Sequence, residues 1–240
     1  MNGAIPLVLL HGWGAHGGVW AELTALLGER FTAQTPDIDG GGSFDEAVDR
    51  LAAAAPARCV VGGWSLGGQL ALSWARRHPA QVERLVLLAT TPKFVADGDW
   101  LHGMAQEAFE SFVAAVEADA DAALRRFRLL ETRGDAQART VIRRLERLLE
   151  VRSPAAAGGL LRMLDWLRDV DLRAQLPDIG QPVLVIHGDC DSLVPPAAAD
   201  VLAARFPDAR SARIAGAAHI PFVSDPVRVS ALITEFCNEY

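Results

Sequence analysis

The chain has 240 residues, of which 50% are hydrophobic and 22% charged, and its formal net charge at pH 7 is −7. This composition excludes disordered and fibrous proteins and suits one compact domain, with or without a sizeable insertion. The acidic balance argues against nucleic acid as the main partner, because phosphate binding needs a surplus of Lys and Arg. The apolar run Ile5–Leu10 is too short to span a bilayer. We therefore expect a cytoplasmic monomer that binds neither nucleic acid nor membrane.

Short apolar runs rich in β-branched residues alternate with helical patterns along most of the chain. The runs lie at 6–10, 59–62, 85–89, 182–187 and 212–214, and the clearest helical patterns lie at 44–55, 66–78 and 196–206. Continuous apolar runs are typical of strands buried on both faces, and the alternation predicts a mostly parallel sheet flanked by helices. In such a sheet, ligand chemistry gathers at the carboxyl ends of the strands.

The stretch 97–171 breaks this alternation. It contains helical patterning, with Pro154 and the pair Gly158-Gly159 as interruptions, but no convincing strand. We therefore predict a helical cap at 97–171, inserted into an α/β core that is formed by 1–96 and 172–240.

A glycine-flanked serine stands between a strand-like run and a helix-like run. The segment Gly63–Gly67 has the pattern G-x-S-x-G, with Ser65 at its centre. A strained strand-to-helix turn of this kind projects the serine hydroxyl above the sheet, and it needs the glycines because a Cβ would collide with neighbouring backbone. We predict that Ser65 is a nucleophile. The alternative is an ordinary glycine-rich turn in which Ser65 caps the helix.

A serine nucleophile needs a histidine base and a carboxylate that orients this base. Asp189 and Asp191 lie in one turn after a strand-like run, and His219 lies in a short loop of small residues after the last run. The order serine, acid, histidine is typical of triads built at strand ends, and we predict His219 as the base. Chemistry alone leaves the choice between the two aspartates open, since either side chain can instead cap its own turn.

Attack on a carbonyl also needs two backbone N–H groups that stabilise the negative oxygen. Leu66, directly after the nucleophile, provides one, and Trp13 in the turn His11–Gly14 provides the other. The alternative for this H-G-W-G segment is a plain turn at the end of a strand. His11 and His187 both end strand-like runs, where a hydrogen bond to backbone is a sufficient explanation.

Four segments together resemble the α/β-hydrolase family over essentially the whole chain. They are H-G-W-G at 11–14, G-W-S-L-G-G at 63–68, G-D-x-D-x-L-V-P at 188–195 and G-A-A-H-I-P-F at 216–222. The resemblance implies the α/β-hydrolase fold, with the cap inserted after the sixth strand, and it selects Asp191 over Asp189 as the acid. Because ten residues precede His11, we expect a sheet that is shortened at that edge.

Within this family the chain is most similar to the pimeloyl-acyl carrier protein methyl ester esterases of biotin synthesis. The similarity lies in Val19-Trp20 after H-G-W-G, in T-T-P-K-F at 90–94 followed by Asp99-Trp100, and in the segment around His219. The chain departs from this family at Glu131, where relatives carry an amide side chain. The resemblance implies four substrate-binding residues: Trp13, Phe127, Leu130 and Glu131.

Positive charge is concentrated on the predicted cap. The stretch 124–152 contains nine arginines and four acidic residues, although the chain as a whole is acidic. Arg139, Arg143 and Arg147 recur every four residues, opposite an apolar helical face. Such a face suits docking of an acidic carrier protein. The alternative, a solvated face whose arginines pair with Glu146 and Glu150, is equally compatible with the sequence.

The sequence therefore predicts a serine carboxylesterase that works through an acyl-enzyme, and the resemblance implies the methyl ester of pimeloyl-acyl carrier protein as its substrate. A short-chain carboxylesterase or a thioesterase would use the same triad. A cofactor-free lyase of menaquinone synthesis shares the scaffold, and a non-enzymatic receptor is the alternative from a different class.

The predicted chemistry needs no metal and no organic cofactor. Cys59, Cys190 and Cys237 are too few and too scattered for a disulfide framework or a zinc site. A reducing compartment is therefore the expected environment.

Overall fold

Six parallel strands form a single sheet in the computed structural model, which describes residues 3–150 and 155–238. The sheet has the order β2-β1-β3-β4-β5-β6. The chain passes from β1 to the edge strand β2 and then crosses to β3 on the other side of β1. The carboxyl ends of β1 and β3 therefore flank the point at which open α/β sheets bind ligands. The strands are β1 (Ile5–Leu10), β2 (Phe31–Gln34), β3 (Cys59–Trp64), β4 (Val82–Leu88), β5 (Val183–Gly188) and β6 (Ala209–Ile214).

The described ranges contain ten α-helices, and none of them is long and apolar enough to cross a membrane. The expected parallel sheet with flanking helices is confirmed. The sequence did not predict β2, because three of its four residues are exposed and it has no apolar run. The helices are α1 (Ala21–Leu27), α2 (Phe44–Ala54), α3 (Leu66–Arg77), α4 (Gln106–Ala118), α5 (Ala120–Glu131), α6 (Ala138–Leu149), α7 (Ala157–Asp169), α8 (Pro196–Ala203), α9 (Pro221–Ser224) and α10 (Pro226–Asn238).

Local sequence explains where several helices begin. Helix α2 starts with a capping box, in which the Ser43 hydroxyl accepts a hydrogen bond from the Glu46 N–H and the Glu46 carboxylate accepts one from the Ser43 N–H. The Asp119 carboxylate accepts a hydrogen bond from the Ala122 N–H at the start of α5. Pro196 and Pro221 occupy the first positions of α8 and α9, where a missing N–H costs nothing.

The core lies in two layers, one on each face of the sheet. Side chains alternate along a strand, so Val8 and Leu10 of β1 pack in one layer and Leu7 and Leu9 in the other. The first layer includes α2, α3 and α8, and the second includes α1, α9 and α10. Burial on both faces explains why the strand sequences are continuous apolar runs.

Helices α4 to α7 form the insertion, which follows β4 in this chain. We expected it after the sixth strand by the family's numbering. The two numbers differ because the described sheet has only six strands, and its first strand in the chain, β1, is the one that leads into the H-G-W-G turn. The division into a core at 1–96 and 172–240 and a cap at 97–171 stays a prediction, and residues 151–154 of this cap lie outside the described ranges.

Ion pairs hold together the two points where the chain passes between the sheet and the insertion. The Lys93 ammonium lies 2.6 Å from the Asp97 carboxylate and 3.3 Å from that of Asp171. The Arg173 guanidinium lies 2.6 Å from Asp171 and 2.9 Å from Asp99. These contacts join the segments before and after the insertion at its base.

The helices of the insertion divide between the two layers. Helices α4, α5 and α7 pack with Trp13 in the first layer. Helix α6 instead places Val141, Leu145 and Leu149 in the second layer, which also contains Trp20 and Phe222. The insertion therefore contacts the core on both sides of the strand ends.

Candidate active site

Ser65 lies in a strained turn between β3 and α3. Its backbone angles are φ 54° and ψ −119°, a conformation that costs free energy for any residue with a side chain. The Ser65 N–H donates a hydrogen bond to the Leu88 carbonyl at 3.0 Å, and the Thr90 hydroxyl donates one to the Ser65 carbonyl at 2.7 Å. The Ser65 side chain makes no capping hydrogen bond to α3. Helix capping therefore does not explain this serine.

The two glycines that flank the turn are required by close backbone contacts. A Cβ on Gly63 would lie 2.1 Å from the carbonyl oxygen of Gly67, and a Cβ on Gly67 would lie 2.2 Å from that of Leu10. Real Cβ atoms do not approach backbone so closely, so neither position accepts alanine without a shift of the chain. The pattern G-x-S-x-G is therefore imposed at Gly63 by the tightness of the turn itself and at Gly67 by its packing against β1.

Asp191, and not Asp189, contacts the predicted base. One Asp191 oxygen accepts a hydrogen bond from Nδ1 of His219 at 2.8 Å, and the other accepts from the N–H groups of Leu193 and Val194 at 2.9 and 3.0 Å. Burial disfavours the charge, but His219 and His187 outweigh it and hold the pKa of Asp191 below its usual range. Asp189 instead accepts a hydrogen bond from the Gly216 N–H at 2.7 Å, which joins the two loops.

His187 is a second histidine on the same carboxylate. Its Nε2 lies 2.9 Å from the Val194 carbonyl and 3.1 Å from Asp191, and the side chains of both His187 and Asp191 are completely buried. Sequence reasoning explained His187 by a backbone hydrogen bond, which is present, but missed the contact with the acid. The signal that would have found it is the position of His187 at the end of β5, four residues before Asp191 in the turn that follows.

His219 is held beside the strand that leads into the predicted nucleophile. The indole N–H of Trp64, the residue before Ser65, donates a hydrogen bond to the His219 carbonyl at 2.8 Å, and the two rings lie 5.8 Å apart. The buried Nε2 of His219 has no hydrogen-bond partner among the described residues, Ser65 included. The proton-transfer contact between His219 and Ser65 therefore stays a prediction. Catalytic hydrogen bonds often tighten only when substrate binds.

The turn after β1 is held in place by the buried His11 side chain. Nε2 of His11 accepts a hydrogen bond from the Ile38 N–H at 2.8 Å, and Nδ1 donates one to the Gly12 carbonyl at 2.8 Å. Burial lowers the pKa of His11 to about 4. In the part of the chain that the structure describes, the N–H groups of Trp13 and Leu66 donate to no protein acceptor. Their role as oxyanion donors stays a prediction.

Aromatic rings connect this turn with the insertion. The Trp13 ring packs edge-on against Phe112 and Phe127 at 4.9 and 5.0 Å, and its indole N–H donates a hydrogen bond to the Leu160 carbonyl at 2.9 Å. Phe112, Phe127 and Leu130 line a cavity of about 370 Å³. Trp13, Glu131 and Ser65 are not among its lining residues. The cavity is also bounded by Ser192 and Leu193, which directly follow Asp191 in the chain.

Glu131 lies close to Asp191 and His219, the predicted acid and base, although it does not line this cavity. Only 3% of the residue is exposed, and its backbone carbonyl accepts a hydrogen bond from the His219 N–H at 3.1 Å. Burial raises the pKa of the Glu131 carboxyl well above its usual value; Arg128 acts in the opposite direction, and the charge of Asp191 adds to the increase. Glu131 therefore keeps its proton at a higher pH than an ordinary glutamate does.

Comparison with known families assigns the fold. Residues 5–226 match the sequence profile of a family described as alpha/beta hydrolase fold. The chain belongs to the α/β-hydrolase family. Among curated proteins, this α/β hydrolase is 43% identical to a pimeloyl-acyl carrier protein methyl ester esterase from Aromatoleum aromaticum, over 95% of this chain and 96% of that protein. It is 38% identical to a protein of the same name from Stenotrophomonas maltophilia, over 96% and 92% of the two chains.

Solved structures show the same α/β-hydrolase fold at lower sequence identity. A bromoperoxidase from Bacillus anthracis has a TM-score of 0.89 and 22% identity, over 99% of this chain and 94% of that chain. An esterase from Exiguobacterium antarcticum has a TM-score of 0.87 and 20% identity, over 100% and 94%. At these identities the likeness concerns the fold alone.

The basic face of this α/β hydrolase is solvent-exposed. Arg139, Arg143 and Arg147 point away from the buried side of α6. Within the described residues, 3–150 and 155–238, none of these arginines forms an ion pair. The expected alternative pairing with Glu146 and Glu150 is absent from these ranges. Arg144 instead faces the core, where it contacts the Glu22 carboxylate at 3.1 Å and donates to the Val223 carbonyl at 3.1 Å. Arg152 lies outside the described residues.

The three cysteines are free thiols. Cys59 and Cys237 are buried and Cys190 is exposed. Across the described ranges, no group of three or more His, Cys, Asp or Glu side chains is arranged to hold a metal ion.

Proposed function

We propose that this chain is a serine carboxylesterase that hydrolyses the methyl ester of pimeloyl-acyl carrier protein. The observation that carries the chemistry is the hydrogen bond from His219 to Asp191, formed next to the strained Ser65 turn. The substrate follows from relatives of that name, which are 34% to 43% identical over nearly their full length. A carrier-bound substrate of this kind fits a cytoplasmic enzyme that acts as a monomer.

Acylation begins with proton transfer from the Ser65 hydroxyl to Nε2 of His219. Asp191 binds Nδ1 of His219, so it leaves Nε2 available and stabilises the imidazolium that forms. The Ser65 oxygen attacks the ester carbonyl carbon, and the N–H groups of Trp13 and Leu66 stabilise the resulting oxyanion. His219 then donates this proton to the methoxy oxygen, and methanol leaves.

Deacylation repeats these steps with water as the nucleophile. His219 takes a proton from water, the hydroxide attacks the acyl carbonyl, and the same two N–H groups stabilise the second oxyanion. Collapse of this intermediate returns the proton to Ser65 and releases the free carboxylic acid. No step in this sequence needs a metal or an organic cofactor.

We place the acyl chain in the cavity lined by Phe127 and Leu130. Its volume of about 370 Å³ and its apolar rings suit a short methylene chain, and it adjoins the residues after Asp191. Trp13 would form the wall between this chain and the oxyanion site, because its ring packs on Phe127. Burial raises the pKa of Glu131, and in its protonated form this side chain would donate a hydrogen bond to the ester end of the substrate.

We propose α6 as the docking site for the acidic carrier protein. Arg139, Arg143 and Arg147 form an exposed basic row without partners in the described ranges, on a chain that is acidic overall. Positive potential on this helix would steer the carrier and hold it while the tethered acyl chain enters the site.

The proposal is tested by mass spectrometry of pimeloyl-acyl carrier protein methyl ester after incubation with the enzyme. Loss of the methyl group with retention of the acyl chain is the expected result. Ser65→Ala should lower the rate by at least about 10⁴-fold, whereas Ser73→Ala, a buried serine of α3, should leave it unchanged. Release of the whole acyl chain would instead identify a thioesterase, and failure of a fluorophosphonate to label Ser65 would exclude the triad.

A further inference from the structure

The loop between α5 and α6 is joined to the loop that carries His219. The Glu131 carbonyl accepts a hydrogen bond from the His219 N–H at 3.1 Å, and the Ala136 N–H donates one to the Gly216 carbonyl at 2.8 Å. Between these two bonds, the Asp135 carboxylate accepts a hydrogen bond from the Ala218 N–H at 3.2 Å. The insertion therefore holds the histidine loop along most of its length.

Asp135 uses its two oxygens to join three segments. One oxygen accepts hydrogen bonds from the Ala218 N–H and, at 2.5 Å, from the Ser224 hydroxyl at the end of α9. The other accepts a hydrogen bond at 2.7 Å from the Gln137 N–H, directly before α6. Asp135 is only 9% exposed, so water competes weakly for these bonds. The carboxylate thus connects the histidine loop, α9 and the start of α6.

The position of Ala218 makes this anchor relevant to proton transfer. Ala218 directly precedes His219, so a fixed Ala218 N–H restricts the direction in which the imidazole leaves the backbone. On the other side, the Trp64 indole holds the His219 carbonyl. His219 is therefore positioned between the nucleophile strand and the insertion, and loss of one anchor would leave the ring less firmly placed. Displacements of about 1 Å can reduce the rate by roughly 10²-fold.

We propose that Asp135 is a positioning residue for His219, through which the insertion aligns the catalytic base. The proposal rests on the function proposed above. Asp135 does not touch the substrate or the imidazole, and its effect passes through the Ala218 N–H.

The test compares two substitutions of Asp135 and one of its partner Ser224 by steady-state kinetics on a p-nitrophenyl ester. Asp135→Ala should lower kcat by about tenfold or more with KM within about twofold, because the base is misaligned while the acyl pocket is intact. Asp135→Asn, which keeps one acceptor oxygen, should give a smaller loss. Ser224→Ala removes one donor to Asp135 and leaves the Ala218 bond, so its loss should be smaller still.

Asp119→Asn is the matched control. Asp119 also accepts a backbone hydrogen bond at the start of a helix of the insertion, from the Ala122 N–H at 2.9 Å, but among the hydrogen bonds of the described residues none joins it to the histidine loop. This variant should keep the kcat of the unchanged protein. If Asp119→Asn and Asp135→Asn lose the same activity, the effect is a general loosening of the insertion and the proposal is wrong.

Active-site titration with a fluorophosphonate separates positioning from folding. A positioning role predicts a lower rate per titrated site. A purely structural role predicts fewer titrated sites with a normal rate at each, and this outcome would overturn the proposal. If Asp135→Ala does not fold, Asp135→Asn and Ser224→Ala carry the test. If the protein without substitutions is not labelled by the fluorophosphonate and hydrolyses no ester, the proposed function itself is wrong. This outcome differs from those that contradict only the positioning role of Asp135.

Discussion

The carboxylate of Asp191 accepts three hydrogen bonds and has a second histidine beside it. Two backbone N–H groups fix one oxygen, the His219 ring bonds to the other, and Nε2 of His187, which is hydrogen-bonded to the Val194 carbonyl, lies 3.1 Å from that same oxygen. A carboxylate that is fixed in this way cannot rotate to follow the base, so its orientation is set before substrate binds. This arrangement gives His187 a part in orienting the acid, although His187 does not contact the substrate in the mechanism proposed here.

Substitution of His187 tests its contribution. His187→Phe keeps a ring in the buried site but removes the Nε2 donor, and we expect kcat per titrated site to fall about tenfold, because hydrogen bonds to charged groups contribute about 1.5 to 3 kcal/mol. His187→Gln can place an amide N–H near the same oxygen and should lose less. Equal kcat values for the two variants would show that the donor is not needed.

At the scale of single elements, α6 has two chemically different faces. Val141, Leu145 and Leu149 bury one face in the layer that contains Trp20. The row of arginines on the other face remains exposed. Packing therefore determines which side of the helix faces solvent, and the charge pattern gives that side its proposed partner.

Charge reversal on α6 tests carrier docking. The triple variant of Arg139, Arg143 and Arg147 to Glu should raise KM for the carrier-bound ester by about tenfold or more, because steering and binding both depend on this potential. Hydrolysis of a p-nitrophenyl ester should be unchanged, and added salt should reduce the difference between the proteins. The matched control, with the same change in net charge, reverses three exposed arginines outside the insertion: Arg76, Arg205 and Arg228. Equal losses on both substrates would contradict docking.

At the scale of the whole molecule, stability should depend on pH through His11. The folded protein protonates this buried ring only near its pKa of about 4, whereas an unfolded chain protonates histidine near pH 6.5. Between these values the unfolded state binds more protons, so stability falls as the pH falls from about 6.5 to 4. The loss from this group should reach about 3 kcal/mol.

Denaturant unfolding at pH 7, 5.5 and 4.5 measures this dependence. His11→Gln keeps an acceptor for the Ile38 N–H but has no titratable ring, so its free energy of unfolding should fall less over the same range. The His78→Gln variant is the control, because His78 is a partly exposed histidine that bonds to Asp49 on the surface. An unchanged pH dependence in His11→Gln would show that His11 is not the responsible group.

Local sequence determined the main strands, the helical insertion and the Ser65 turn, because these depend on apolar runs and on glycines at short spacing. The order of Ser65, Asp191 and His219 was also readable, since each follows a strand and parallel strands end at one edge of the sheet. The edge strand β2 was not predicted, because an exposed strand has no apolar run.

Only the tertiary structure decided which side chains meet. The chemistry of the two aspartates left the choice between them open and the family resemblance selected Asp191, but it is the packing of β5 beside β6 that places Asp191 against His219 and Asp189 against the Gly216 N–H. The contacts of His187 with the acid and of Asp135 with the histidine loop arise in the same way. Hydrogen bonds between residues far apart in the chain depend on distances of a few ångströms, and these distances are set by how the sheet, the helices and the insertion pack together.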